Sequence, residues 1–302
     1  MSQMFDDFVQ HLDQTGISNR TIANYKATWS KFQKWMFQTD PALQDAGQAT
    51  QKDIADYKRY MNDFGGRGGL PAKPSTMQLT FVQLNAIFEY FTVMNFIPDN
   101  PVERVKKPPA ARRTPKWLSR NEQNALLREL RKGSNKRDNA IVLLMLRAGL
   151  RVHELCNLLL TDITLNARSG STYIRGKGYK DREVPLNSEV RNALESYLKE
   201  RKDDSPYVFS SQRSKKMSVR GVQHMVEKYR ERTKIEHLSC HGLRHSFGHD
   251  LVTANPPVPL DQVATLMGHF KDDGSPNIAM TMIYTTPGAE DLEAAVESIS
   301  WT

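Results

Sequence analysis

The sequence predicts a mainly α protein in two parts. A helical bundle occupies residues 1–105, and a mixed α/β domain of mostly helices with one small antiparallel sheet occupies 117–302. Three observations carry this reading. Apolar residues recur every three to four positions along most of the chain, which is the helical period. Residues 106–116 are rich in proline and cations and break that period. Only between Thr172 and Leu186 do short β-prone runs flank a glycine-containing turn.

In the first part, Phe5, Phe8, Val9 and Leu12 mark a helix to about residue 14, and Thr15-Gly16-Ile17-Ser18 breaks it and supplies a new cap. From Asn19, the residues Ile22, Tyr25, Trp29, Phe32, Trp35 and Met36 form an aromatic stripe. A stripe at this spacing serves either as core or as a surface on which bases stack, and the spacing favours core. Thr50-x-x-Asp53 has the form of a capping box and opens a helix through Ile54, Tyr57 and Met61. Gly65-Gly66-Arg67-Gly68-Gly69 lacks the Gly-Lys-Ser/Thr ending of a phosphate loop and reads as a flexible connector. A helix follows over Ser75 to Met94, stopped by Pro98 and Pro101.

Residues 106–116 hold Lys106, Lys107, Arg112, Arg113 and Lys116 among prolines. This stretch is expected to be a stiff interdomain linker, either a solvated tether or a strip lying against a DNA backbone. Ser119-x-x-Glu122 is a second capping box, before Leu126, Leu127 and Leu130. Asp138 to Arg147 is nearly all apolar and predicts the buried centre of the second domain, ended by Gly149. The chain turns at Leu158 to Asp162. Thr172–Arg175 and Arg182–Leu186 then form a hairpin around Gly176-Lys177-Gly178-Tyr179-Lys180-Asp181. Helices are expected at Ser188–Arg201, Val219–Thr233 and, at the end, 289–299, where Leu292, Ala295, Val296 and Ile299 give an amphipathic pattern.

An apolar fraction of 39% with 25% charged residues suits a folded domain in water. The apolar run Ala140 to Leu146 is far shorter than the roughly 20 residues a membrane span needs. No basic-then-apolar region opens the chain, so export is not expected. Cys156 and Cys240 lie far apart in no metal spacing, which fits free thiols in the cytoplasm. The net charge of +8 favours a polyanionic partner, and its clustering says more than its size: besides the linker, Arg213, Lys215, Lys216 and Arg220 crowd together.

The chemistry-bearing residues gather late in the chain. Arg151 and Arg244 are permanent cations with planar forks suited to two phosphate oxygens. His241, His245 and His249 fall at intervals of four, on one helical face. Such a stripe can bind zinc, but Arg244 among the imidazoles opposes a metal, and no Cys or acid completes the set. Tyr284 is either a core residue or, beside cations, a nucleophile toward phosphorus. Lys177 is a surface lysine or a proton donor.

In order, the chain carries Gly-Leu-Arg151-x-x-Glu154-Leu, Gly-Lys177-Gly-x-Lys-x-Arg-x-Val-Pro-Leu, His241-x-Leu-Arg244-His245, Met267-Gly268-His269 and Thr281-x-x-Tyr284. This ordered set resembles the tyrosine recombinase (phage integrase) family over essentially the whole chain. The resemblance implies a SAM-like helical core-binding domain before a catalytic domain. It implies that Arg151, Lys177, His241, Arg244 and His269 activate the scissile phosphate, with Tyr284 as nucleophile. Glu154 falls on the family's ordering acid and His245 on a packing and orienting position. The implied partners are a double-stranded DNA recombination site and further copies of the chain, as dimers and as a tetramer on DNA. No cofactor and no metal are implied. Fourteen residues separate His269 from Tyr284, more than the family usually has, with Phe270 to Pro276 as the surplus. A longer tether of this kind is expected to let Tyr284 move in and out of the site. Two other functions share the residues: relaxation of supercoils by a type IB topoisomerase, and DNA-binding regulation without catalysis.

Overall fold

In the computed structural model, residues 3–41, 45–105, 116–176, 180–211 and 214–299 are described. The chain divides into two compact units, residues 1–113 and 114–302.

The first unit is built from α1 (Gln3–Gln14), α2 (Asn19–Thr39), α3 (Gln51–Asp63) and α4 (Pro74–Val93). Ser18 caps α2 by accepting from Thr21 N–H, and the Thr50/Asp53 box closes α3 in both directions. Pro74 occupies the first turn of α4, where its missing N–H costs nothing. The stripe of α2 is core: Trp29 stacks on Phe5 at 5.0 Å and meets Phe88 and Phe91 edge-on. Each such fully buried ring contributes about 1.5–3 kcal/mol of transfer free energy. Two expectations change. Helix α4 ends at Met94 with Asn95 in the left-handed region (φ 57°), before either proline. The glycine run is a closed turn in which Gly66 N–H bonds Leu70 C=O at 2.6 Å. A Cβ at Gly66 would sit 2.5 Å from the Pro71 carbonyl oxygen.

The second unit opens with α5 (Arg120–Lys132), capped by the Ser119/Glu122 box, then α6 (Lys136–Arg147) and the short α7 (Val152–Asn157). Strands β1 (Ile163–Leu165), β2 (Gly170–Ile174) and β3 (Arg182–Pro185) form an antiparallel sheet in that order. Strand β1 was not expected, because three residues carry too little alternation to register. The register pairs Thr172 with Val184 and Ile174 with Arg182, and these four side chains are the buried ones. Next come α8 (Ser188–Glu200), α9 (Val219–Thr233), α10 (Cys240–Val252), α11 (Leu260–Met267), α12 (Ile278–Thr281) and α13 (Ala289–Glu297). Helix α6 is buried along nearly its whole length, with α8 and α10 packed on it. Among the described residues, no helix is long and apolar enough to cross a membrane.

Candidate active site

Helix α10 carries the densest part of the site, and Ser239 starts it by accepting from Gly242 N–H at 3.0 Å. His241 then lies in the first turn, with Arg244 and His245 one turn on. Arg244 is only 2% exposed, and its guanidinium donates to the carbonyls of Gly149 and Met267. Burial pulls its pKa below the ordinary arginine value, and Arg151 and Arg182 nearby pull the same way, while Glu154 opposes them. It remains a cation at neutral pH.

Arg151 is the N-cap of α7. Its backbone N–H and its Nη1 both donate to Glu154, at 2.7 and 2.9 Å, and its Nη2 reaches the Gly268 carbonyl at 3.1 Å. Glu154 also lies 3.9 Å from Arg244. Burial alone would raise its pKa; the hydrogen bonds and charges of Arg182 and Arg151 outweigh that and hold the carboxyl at about 2.

His269 follows α11, whose end is turned by Gly268 at φ +62°. Its Nδ1 lies 3.1 Å from the Thr281 hydroxyl, which itself donates to Asn277 C=O at 2.9 Å. A hydroxyl has one proton, so Nδ1 must be the donor, and Nε2 carries the lone pair facing Arg244 Nη2 at 3.5 Å. Burial, reinforced by Arg244, Arg151 and Arg182, depresses this imidazole to about 3, so it is neutral. The Thr-x-x-Tyr pattern thereby acquires a cause: Thr281 fixes the tautomer of His269. Burial likewise lowers His245 to about 4 and moves His241 below the ordinary imidazole value.

Tyr284 is 2% exposed, with its ring stacked on His269 (5.9 Å, 13°) and tilted against His245 (5.4 Å). Gly248 makes the seat, since a Cβ there would fall 2.9 Å from the ring. Burial raises the phenol pKa, while the nearby charges of Arg244 and Arg151 lower it. A cavity of about 410 Å³ opens onto Arg151, His241 and Arg244. A larger one, about 850 Å³, is lined by Trp117, Arg147, His249 and Asp250 and by none of the candidate catalytic residues.

Arg151, Glu154, His241, Arg244, His245, His269 and Tyr284 therefore converge. Lys177 lies outside the described residues, as do Lys106, Lys107, Arg112, Arg113 and Arg213. At the turn of the hairpin, Lys180 pairs with Asp272 at 3.1 Å. Lys215 and Arg220 are exposed, whereas Lys216 donates to the Asn157 side chain and lies over the Tyr207 ring at 5.5 Å. His249 departs from the face shared by His241 and His245 and stacks on Trp117 at 4.0 Å. Two steps of four residues rotate it about 80° around the helix, which is enough to leave the site.

The surplus before Tyr284 is a closed loop. Phe270 pairs with Pro276, and Asn277 N–H bonds His269 C=O at 2.7 Å. Its base is pinned, so the extra residues add no slack, contrary to the expectation of a longer tether. One residue of the site lay in the hairpin motif but was given no role there: Arg182, whose guanidinium grips both oxygens of Glu154 at 2.9 Å. The signal was available, because Arg182 alternates in phase with Val184 and so faces inward.

A family model described as "Phage integrase family" matches residues 116–290. Tyrosine recombinase XerA of Thermococcus kodakarensis is 30% identical over 98% of this chain and 95% of its own length. XerA of Thermococcus onnurineus is 34% identical over 98% and 95%. Among solved structures, XerH site-specific recombinase bound to a palindromic difH substrate superposes with a TM-score of 0.75 at 21% identity, over 93% of this chain and 80% of that one. The two arginines on Glu154, the histidines beside them and the seated tyrosine thus lie within the matched segment, and the chain belongs to the phage integrase family, the tyrosine recombinases.

Proposed function

We propose that this protein recombines DNA at specific sites, with Tyr284 as the nucleophile. The phenol gives its proton to a neutral histidine of the site as its oxygen attacks phosphorus, a 3′-phosphotyrosyl bond forms, and the 5′-oxygen leaves with a proton supplied by Lys177 or a histidine. Arg151 and Arg244 hold the non-bridging oxygens, where fixed cations act most strongly on developing charge. Glu154 orders the two arginines, and His241 and His269 flank the phosphate. A 5′-hydroxyl from a second duplex reverses the step and exchanges strands, in integration, in excision or in resolution of a mobile element. The observation that carries this is the convergence of Arg151 and Arg244 on one carboxylate beside the buried Tyr284, whose ring stacks on His269.

The partner is double-stranded DNA. The clusters Lys106, Lys107, Arg112, Arg113 and Arg213, Lys215, Lys216, Arg220 supply phosphate contacts, so affinity falls steeply with salt. Copies of the chain associate on DNA as dimers and a tetramer. Helix α13, which leaves Leu292 and Val296 more than half exposed, supports that reading. No part of the mechanism needs a metal or a nucleotide, and the cytoplasm is the expected location.

The test uses a nicked suicide duplex carrying a site selected from random DNA by binding to the protein. The wild-type protein forms a covalent adduct on it and Tyr284→Phe forms none. An adduct with Tyr284→Phe would remove the assignment.

A further inference from the structure

Three successive main-chain carbonyls at the end of α11 each take a different arginine. Leu266 C=O accepts from Arg182 Nε at 3.0 Å, Met267 C=O from Arg244, and Gly268 C=O from Arg151 at 3.1 Å. The last carbonyls of a helix have no partner within it and carry the negative end of its dipole, so cations suit them. The same three guanidiniums meet again around Glu154. Two of them serve the phosphate under the reading above. Arg182 is different: it is 5% exposed, and Nε and both terminal nitrogens are already committed to protein acceptors.

We propose that Arg182 is a positioning residue for strand cleavage. It locks Glu154 against the end of α11, and through that carboxylate it sets the separation of Arg151 and Arg244. The inference rests on the assignment of those two arginines to the scissile phosphate. The contact is a fork on a fork, two parallel hydrogen bonds that only a guanidinium can make, so it fixes the angle of the carboxylate as well as its distance. Space for it is reserved, because a Cβ at Gly268 would lie 2.7 Å from Arg182 Nη1. Strand β3 delivers the side chain from beside the hairpin turn, so one residue links that hairpin, the carboxylate and the turn into His269. Three guanidinium charges against one carboxylate leave an excess of two, which suits the two negative charges on phosphorus oxygens once attack has added one to the diester's own.

The experiment compares Arg182→Lys, Arg182→Gln, Glu154→Gln and the double variant Arg182→Gln/Glu154→Gln. It measures single-turnover adduct formation on the nicked duplex at saturating protein and, separately, equilibrium binding to the same DNA. Thermal unfolding reports which variants fold. Arg182→Lys keeps the charge and loses the fork; it is expected to slow cleavage about 10–100-fold with binding changed by less than about threefold. The double variant is expected to cleave about as fast as the slower single variant, because both substitutions break the same link. Arg182→Lys cleaving at the wild-type rate would overturn the proposal, and so would losses that multiply in the double variant. If Arg182→Gln does not fold, Arg182→Lys alone decides. Absence of a wild-type adduct would instead overturn the nucleophile assignment, so the two failures are distinguishable.

Discussion

Replacing Thr281 by Val tests the tautomer of His269 directly. Both side chains are buried, and Thr281 is the acceptor for Nδ1–H at 3.1 Å. Valine keeps the shape but offers no oxygen. The Nδ1–H is then left unsatisfied at a cost of about 1–3 kcal/mol, since neither solvent nor the opposite ring edge, which faces the Arg244 donors, can replace the contact. For a unit of this size each kcal/mol moves the melting temperature by about 2–4 °C, so a fall of about 2–12 °C is expected. The assay pairs thermal unfolding with nitrogen NMR shifts of the imidazole, which separate Nδ1–H from Nε2–H. Wild type and Thr281→Ser should hold Nδ1–H, and Thr281→Val should hold it too, now without a partner, because Nε2–H would face the Arg244 donors. A Thr281→Val protein that melts within about 1 °C of wild type, or a wild-type imidazole found as Nε2–H, would refute the reasoning.

Three further outcomes follow from the geometry. Glu154 is held at about 2 in the folded protein against an ordinary 4.5, so its contribution is present above pH 4.5 and lost as pH falls toward 2. The shift corresponds to about 3 kcal/mol, and Glu154→Gln should flatten the decline of the urea midpoint over that window. Gly268→Ala forces a side chain into the left-handed region and onto Arg182, and should cost about 2–4 kcal/mol in denaturant titrations. Gly248→Ala must push the Tyr284 ring about 0.6–1 Å from its seat to restore ordinary carbon contact, and should slow adduct formation about 10–100-fold with DNA affinity kept. An unchanged rate would mean that the tyrosine leaves this seat before it attacks.

What could be read in advance tracks how local the cause is. Helix starts at Thr50 and Ser119 were legible because a capping box is closed within four residues. The α2 stripe and the buried α6 were legible because periodicity reports burial. The ordered motifs pointed to Arg151, Arg244, His269 and Tyr284 as members of one site. They did not show what holds them, since Gly149, Leu266, Met267 and Gly268 act through main-chain carbonyls that every residue possesses. Arg182 stood in the hairpin motif without a role, because only its alternation with Val184 shows that it faces inward. His249 was misplaced because spacing by four holds a face for one step and loses it over two.

The closed loop from Phe270 to Pro276 also bears on how such chains diverge. Because its two ends are pinned at His269 and Asn277, residues added between them change neither the reach nor the direction of the chain entering Tyr284. Lengthening a loop whose ends already meet is inexpensive, at about 0.6 kcal/mol for each doubling. The interval between the last histidine and the tyrosine is therefore free to drift while the reacting groups keep their places, and a count of residues across it measures ancestry rather than mechanism.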